Sequence, residues 1–230
     1  MINFKLVFFL LYLFLKSGFL LEADSNQSRM PSLEKIGKDK FRFGGVVIDK
    51  KNRILEFNAT SNQKNGLIEY ALVHESGKIH ESLFRTKVRP QILHACFLLL
   101  RHPQENRFFE NLWSEKPKRL NFTNSRIKTE VSWEQNGSSF TCSLEELSFN
   151  TKDKNRLKDG AFIFTGSKKI EDTYLAEMSG SMIAVYADEE AVINSTDHDS
   201  NNDDVWIANE KQMPELELPV LLRFLLPNPD

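Results

Sequence analysis

Between Phe41 and Leu226 the chain is cut into short runs rich in β-branched and aromatic residues, and the polar connections between them are mostly too short for the crossovers that parallel strands need. That punctuation confines the fold to neighbours that pair antiparallel. FRFGGVVID and RILEF flank Lys50–Lys51–Asn52, and LIEYALVHE and KIHESLF flank Ser76–Gly77. KTEVSWEQ and SSFTCSLEEL flank Asn136–Gly137, the strongest two-residue hairpin signal. AFIFTGSKKI, TYLAEM, SMIAVYA, DVWIA and VLLRFLL read as further strands, and the charged stretch 150–160 as a loop. Helices are few. Pro90 suits a helical first turn, so a helix is expected from Pro90 to Arg101, with a short one over Glu189 to Ile193. The expected fold class is α+β: a predominantly antiparallel β-sheet or small barrel with one principal packed helix.

The first residues place an apolar run, Leu6 to Leu15, between Lys5 and Lys16. A membrane-spanning helix needs about 20 apolar residues, so the pattern reads as a signal peptide cleaved after Ala23. Residues 24–40 are polar without a sustained period and read as a flexible leader; 41–230 then form a single β-rich domain. A mature chain of roughly 205 residues is long enough for one well-packed domain and short for two. The expected location is periplasmic or secreted, with no membrane span after cleavage. Acids and bases nearly cancel, 32 against 30, so no field draws the chain to nucleic acid. With only Cys96 and Cys142, iron–sulfur clusters and cysteine-rich zinc sites lack ligands. The two either pair in an oxidising compartment or remain separate buried thiols.

A two-residue turn at Ser76–Gly77 would pair Val73 with His80 and Ala71 with Ser82. Alternation then places Glu69, His80 and Ser82 on one face, and Tyr70, His74 and Glu81 on the other. Glu69 sits among Leu67, Ile68, Ala71 and Leu72, where a carboxylate is poorly solvated. It reads as a general acid/base or metal ligand, or as a structural carboxylate satisfied by a backbone amide or by Arg85 or Arg89. His94 shares the polar stripe of its helix with Gln91 and Arg101, which fits a ligand-facing or a packed histidine. The ligand-binding candidates are therefore Glu69, His80, Ser82 and His94. In DHDSNNDD, Asp197, Asp199, Asn201 and Asp203 alternate as the first ligands of a calcium loop do. Asn202 and Ala208 stand where that loop wants glycine and glutamate, and a solvated acidic loop is the other reading. Lys78 and Phe84 occupy the places where a helical zinc motif needs its second histidine, and there is no G-x-S-x-G elbow or phosphate-binding glycine loop.

Taken in order, GLIEYALV, GKIHESLF, PQILHA, FIFTGSKKIEDTYLAEMSGSMIAVYADEEAVIN and DDVWIAN resemble the YdjY-type domain of exported bacterial proteins of uncharacterised activity. The resemblance runs from about Gly44 to Pro227. It carries over Glu69, His80, Glu81, Ser82, Pro90, His94, Gly166, Ser167, Gly180, Ser181 and Trp206 as positions of the pattern, and implies no reaction. Some relatives carry a ferredoxin-like cysteine cluster, which this chain lacks. Three functions follow as expectations. One is a module binding a small ligand or a divalent metal as cofactor. Another is an acid–base or metal-assisted enzyme using Glu69 with His80 or His94. The third is a structural protein whose partner is another envelope protein.

Overall fold

The computed structural model describes residues 30–228. The expected signal peptide, 1–23, and the leader as far as residue 29 lie outside the described residues. The rest of the leader is partly structured: β1 (Glu34–Lys35) pairs with Arg42 and Phe41, so the sheet begins before the expected start at Phe41.

Among the described residues the main sheet has twelve strands. After β1 come β2 (Lys40–Phe43), β3 (Val46–Asp49), β4 (Ile54–Ser61), β5 (Tyr70–His74) and β6 (Ser82–Thr86). The second half supplies β7 (Lys128–Gln135), β8 (Ser138–Cys142), β9 (Phe162–Phe164), β10 (Ser181–Ala184), β11 (Ile193–Ser195) and β12 (Pro219–Leu225). β4 is the hub. Its early residues pair with β3 and its last two with β6, while its opposite edge pairs with β12 from Ile54 to Thr60. From there the order runs β7, β12, β4, β6, β5, β10, β11, β9. An isolated antiparallel bridge, Arg126 to Ile163, and the bond from Ile127 N–H to Phe162 O (2.9 Å) link β9 back to the start of β7. The path closes on itself as a small barrel.

Alternation sorts the strands' two faces. Leu55 and Phe57 of β4 and Val220, Leu222 and Phe224 of β12 are buried. On the outer face Arg223 lies in register with Glu56 and Glu130 and pairs with both, at 2.9 and 2.7 Å. The principal helix, α1 (Pro90–Leu99), starts on its proline and buries Ile92, Leu93, Cys96 and Phe97. Phe97 stacks on Phe164 at 4.6 Å and approaches Phe224 at 6.3 Å, so α1 packs across the inner face. Burying one such phenylalanine stabilises by about 2–3 kcal/mol. At the helix's first turn Ile92 abuts the β2–β3 turn so closely that a Cβ on Gly44 would stand 2.9 Å from it.

The hairpin expected at Asn136–Gly137 forms, with both residues at positive φ (53° and 75°). The one expected at Ser76–Gly77 does not. β5 and β6 run parallel, with Tyr70 opposite Ser82 and His74 opposite Thr86. After His74 the chain doubles back through a 3-10 turn, Ile79–Glu81, and re-enters the sheet beside its starting point. The direction of β6 is set by its antiparallel pairing with β4, a partner distant in sequence. β10 and β11 are also parallel.

Other expectations need correction. AFIFTGSKKI breaks after β9, where Gly166 and Ser167 take positive φ (84° and 63°). TYLAEM becomes the strand Thr173–Tyr174 followed by helix α3 (Leu175–Ser179), and a further short helix, α2, forms over Phe108–Leu112. No helix forms over 189–193; β11 begins there instead, because the apolar Ala191–Val192–Ile193 run is buried against the sheet. Asn155–Arg156, inside the expected loop, joins Ser148–Asn150 and Trp206–Ala208 in a three-stranded sheet. Cys96 and Cys142 are free thiols, and burial pushes both up to about 12.

Candidate functional site

The return of the chain from β5 to β6 decides which side chains meet. Glu69, just ahead of β5, gives its N–H to Glu81 O (3.0 Å), and its carbonyl accepts Val185 N–H and Tyr186 N–H (2.8 and 3.1 Å). The crossover thus delivers Lys78 and Glu81 to the same place as Glu69. Lys78 Nζ lies 3.6 Å from Glu69 Oε2 and 3.9 Å from Glu81 Oε1, and donates to Tyr70 Oη at 3.0 Å. Tyr70 Oη in turn donates to Asp188 Oδ2 at 2.9 Å. Glu69, Tyr70, Lys78 and Asp188 line a cleft of about 390 Å³, with Tyr186, Ile170 and Leu175 as its less polar wall. Acids predominate: Glu69, Asp188, Glu189 and Glu190 face Lys78 and Lys168.

Burial, reinforced by Glu81 and opposed by Lys78, raises the Glu69 carboxyl; Asp203 adds to the rise. Burial and then Asp188 push the Tyr70 phenol up to about 12. Burial alone would lower Lys78, but Tyr70, Glu69 and Asp188 outweigh it and hold the ammonium above the usual lysine range. At neutral pH the cleft is therefore lined by an ammonium and a neutral phenol in one hydrogen-bonded chain, beside the Glu69 carboxyl. Among the described residues the fully buried Ser181 Oγ beside it has no partner in hydrogen-bond geometry, yet it stands near enough to Tyr70 to oppose the phenol's rise.

Of the residues expected from sequence, Glu69 lines this cleft and the other three do not. His80 is exposed, with Nε2 3.7 Å from Glu81, so the expected shared face of Glu69 and His80 gives way to Glu69 with Glu81. The reason is the parallel crossover, which puts residues 79–81 in a 3-10 turn where strand alternation no longer applies. Ser82 is buried and donates to Phe84 O (2.8 Å), a structural contact. His94 sits elsewhere, its Nδ1 2.8 Å from Gly166 O and 2.9 Å from Tyr174 Oη; burial lowers its pKa. The alternating acids do not converge either. Asp197 accepts Lys158 N–H and His198 N–H, Asp199 accepts from Asn150 and Lys152, and Asn201 and Asp203 are exposed. Asp199 instead groups with Asp153 and His198.

Sequence reading missed Lys78, Tyr70 and Asp188. Lys78 figures in the sequence only as the residue standing where a zinc motif needs histidine, and Asp188 lies 118 positions from its partner Tyr70. A larger hollow, about 630 Å³, lies around the buried Glu145. There the carboxylate is already engaged, accepting from Thr129 Oγ1 (2.5 Å) and Gly160 N–H (3.1 Å), which makes it a brace within the fold.

Comparison with known families finds that the YdjY domain model matches residues 46–224. No curated protein and no solved structure matches the chain.

Proposed function

We propose that this chain, which belongs to the YdjY domain family, is an exported binding module that holds a small ligand bearing an ammonium group in the cleft between β5 and residues 186–190. The observation that carries this reading is the Lys78–Tyr70–Asp188 chain, which lines a cleft whose acids outnumber its bases. A ligand ammonium finds acceptors in Glu69 and Asp188, and its hydrocarbon part lies against Ile170, Leu175 and Tyr186. Binding is favoured over acid–base catalysis by two facts. Lys78 and Tyr70 are held in their protonated forms. Glu69, His80 and His94, the three groups an acid–base mechanism would draw on, do not meet.

The test is calorimetric titration with glucosamine and n-butylamine against glucose and n-butanol. Amines should bind and the neutral analogues should not, and Glu69→Gln should weaken amine binding at least tenfold while leaving the circular dichroism unchanged. Equal binding of both classes, or binding indifferent to Glu69→Gln, would overturn the reading. Export has its own check. N-terminal sequencing of native material should begin at Asp24, and an intact Met1 in the native protein would refute it.

A further inference from the structure

Away from the cleft, the sheet of Ser148–Asn150, Asn155–Arg156 and Trp206–Ala208 carries two turns that meet at His198. The buried Asn150 pins both. Its Oδ1 accepts Lys152 N–H and Asp153 N–H (2.9 and 3.1 Å), shaping the turn that bears Asp153, and its Nδ2 donates to Asp199 Oδ2 at 2.9 Å. Trp206 Nε1 donates to Asp199 O at 2.9 Å and fixes the second turn from behind. Between them stands the imidazole of His198. Its Nδ1 is 2.6 Å from Asp197 Oδ1, and its Nε2 faces Asp153 Oδ2 at 2.5 Å and Asp199 Oδ2 at 3.3 Å.

A neutral imidazole has one donor nitrogen. If Nδ1 donates to Asp197, the Nε2 lone pair points at two carboxylates, which is unfavourable unless Nε2 carries a proton or a cation sits there. Metal-bound histidines usually have this arrangement, with the far nitrogen anchored on a carboxylate. We propose that His198 Nε2, Asp153 and Asp199 form a binding site for a divalent transition cation of the zinc type, with Asp197 as the group that orients the imidazole.

Zinc takes nitrogen and carboxylate ligands at about 2.0–2.1 Å, so two ligand atoms of a tetrahedral site lie about 3.3 Å apart. His198 Nε2 and Asp199 Oδ2 already stand at 3.3 Å. Asp153 Oδ2, at 2.5 Å, is closer than that, but its side chain is exposed on a turn and needs to withdraw by less than about 1 Å. Lys152 holds the other Asp199 oxygen at 3.1 Å, and being 59% exposed it yields to a cation at little cost. One nitrogen and two carboxylates favour zinc over calcium, which prefers six to eight oxygens. Three protein ligands leave a coordination position open to water. This site shares no residue with the amine cleft.

The experiment is equilibrium dialysis of the chelator-stripped full chain against Zn²⁺, with melting curves of every variant taken without metal. One zinc per chain should bind, and millimolar Ca²⁺ should not displace it. His198→Ala and Asp153→Asn should each weaken binding at least tenfold. Asp197→Asn should weaken it ten- to a hundredfold, as an orienting partner does. Asp203→Asn, in the same acidic segment but outside the site, should leave it unchanged. Because Asp153 is exposed, its variant keeps the fold and reads binding alone. No stoichiometric zinc at micromolar concentration would show that the imidazole is only a protonated clasp between carboxylates and would overturn the proposal. So would zinc binding that survives His198→Ala, or displacement by calcium.

Discussion

The β7–β8 hairpin and the β5–β6 crossover both turn on a small polar residue followed by glycine, and they use that glycine for different ends. At Asn136–Gly137 both residues take positive φ, as the tightest hairpin turns require, and a Cβ on Gly137 would meet nothing within 4 Å. Neither Ser76 nor Gly77 is among the positive-φ residues; here the glycine's missing side chain matters. A Cβ on Gly77 would stand 2.8 Å from Ser179 O, and one on Gly180, itself at φ 76°, would stand 2.7 Å from Gly77 Cα. Two backbones touch at that point, and His74 N–H donates to Gly180 O at 2.8 Å. A glycine turn says that the chain is free to bend; it does not say whether the bend or the contact is what the fold uses.

Substitution at these glycines tests the contrast most forcefully. Gly180→Ala combines a left-handed backbone with a backbone clash and should cost about 2–5 kcal/mol in urea denaturation. Gly137→Ala suffers only the backbone term and should cost about 1 kcal/mol. Equal losses would erase the distinction between the two turns.

The smallest effect concerns charge on the crossover side. The Glu69 carboxyl titrates higher in the folded protein than in the unfolded chain, because of burial and then Glu81. The folded state therefore holds this proton more tightly, and the associated stability is present below the unfolded pKa and lost as pH rises through the folded one. Glu69→Gln cannot ionise, so it should melt with wild type near pH 4 and slightly above it at pH 8. A variant melting below wild type at pH 8 would mean that the Lys78 contact outweighs the repulsion from Glu81, making Glu69 a net structural asset.

The same contrast explains how much could be read from sequence. Asn136–Gly137 carries its partners within a few residues, and α1 carries its own apolar face, so most of the strands, the principal helix and the mainly antiparallel β-rich class were legible, while an open sheet and a small barrel stayed equally open. The direction of β6 was not, because β4 decides it. The site inherits that limit: Glu69 stood out as an acid among apolar neighbours, while Lys78 and Tyr70 acquire their roles only when the chain doubles back. His198 was passed over in favour of the alternating acids around it, since nothing local announces that residue 153 arrives opposite.

The position of β12 bears on how such a chain reaches its fold. It lies between β4 and β7, and its Arg223 meets Glu56 across a separation of 167 positions. Contacts of such long range slow folding, because loop entropy is lost before they form. The β7–β8 hairpin can form alone within microseconds. The central ribbon must wait for residues 219–225, so a chain emerging gradually leaves the β4 edge unpaired until that segment is available, and unpaired edges are where strands aggregate. Arg223, in register with Glu56 on one side and Glu130 on the other, places opposite charges face to face across that late seam, which favours the register in which it closes.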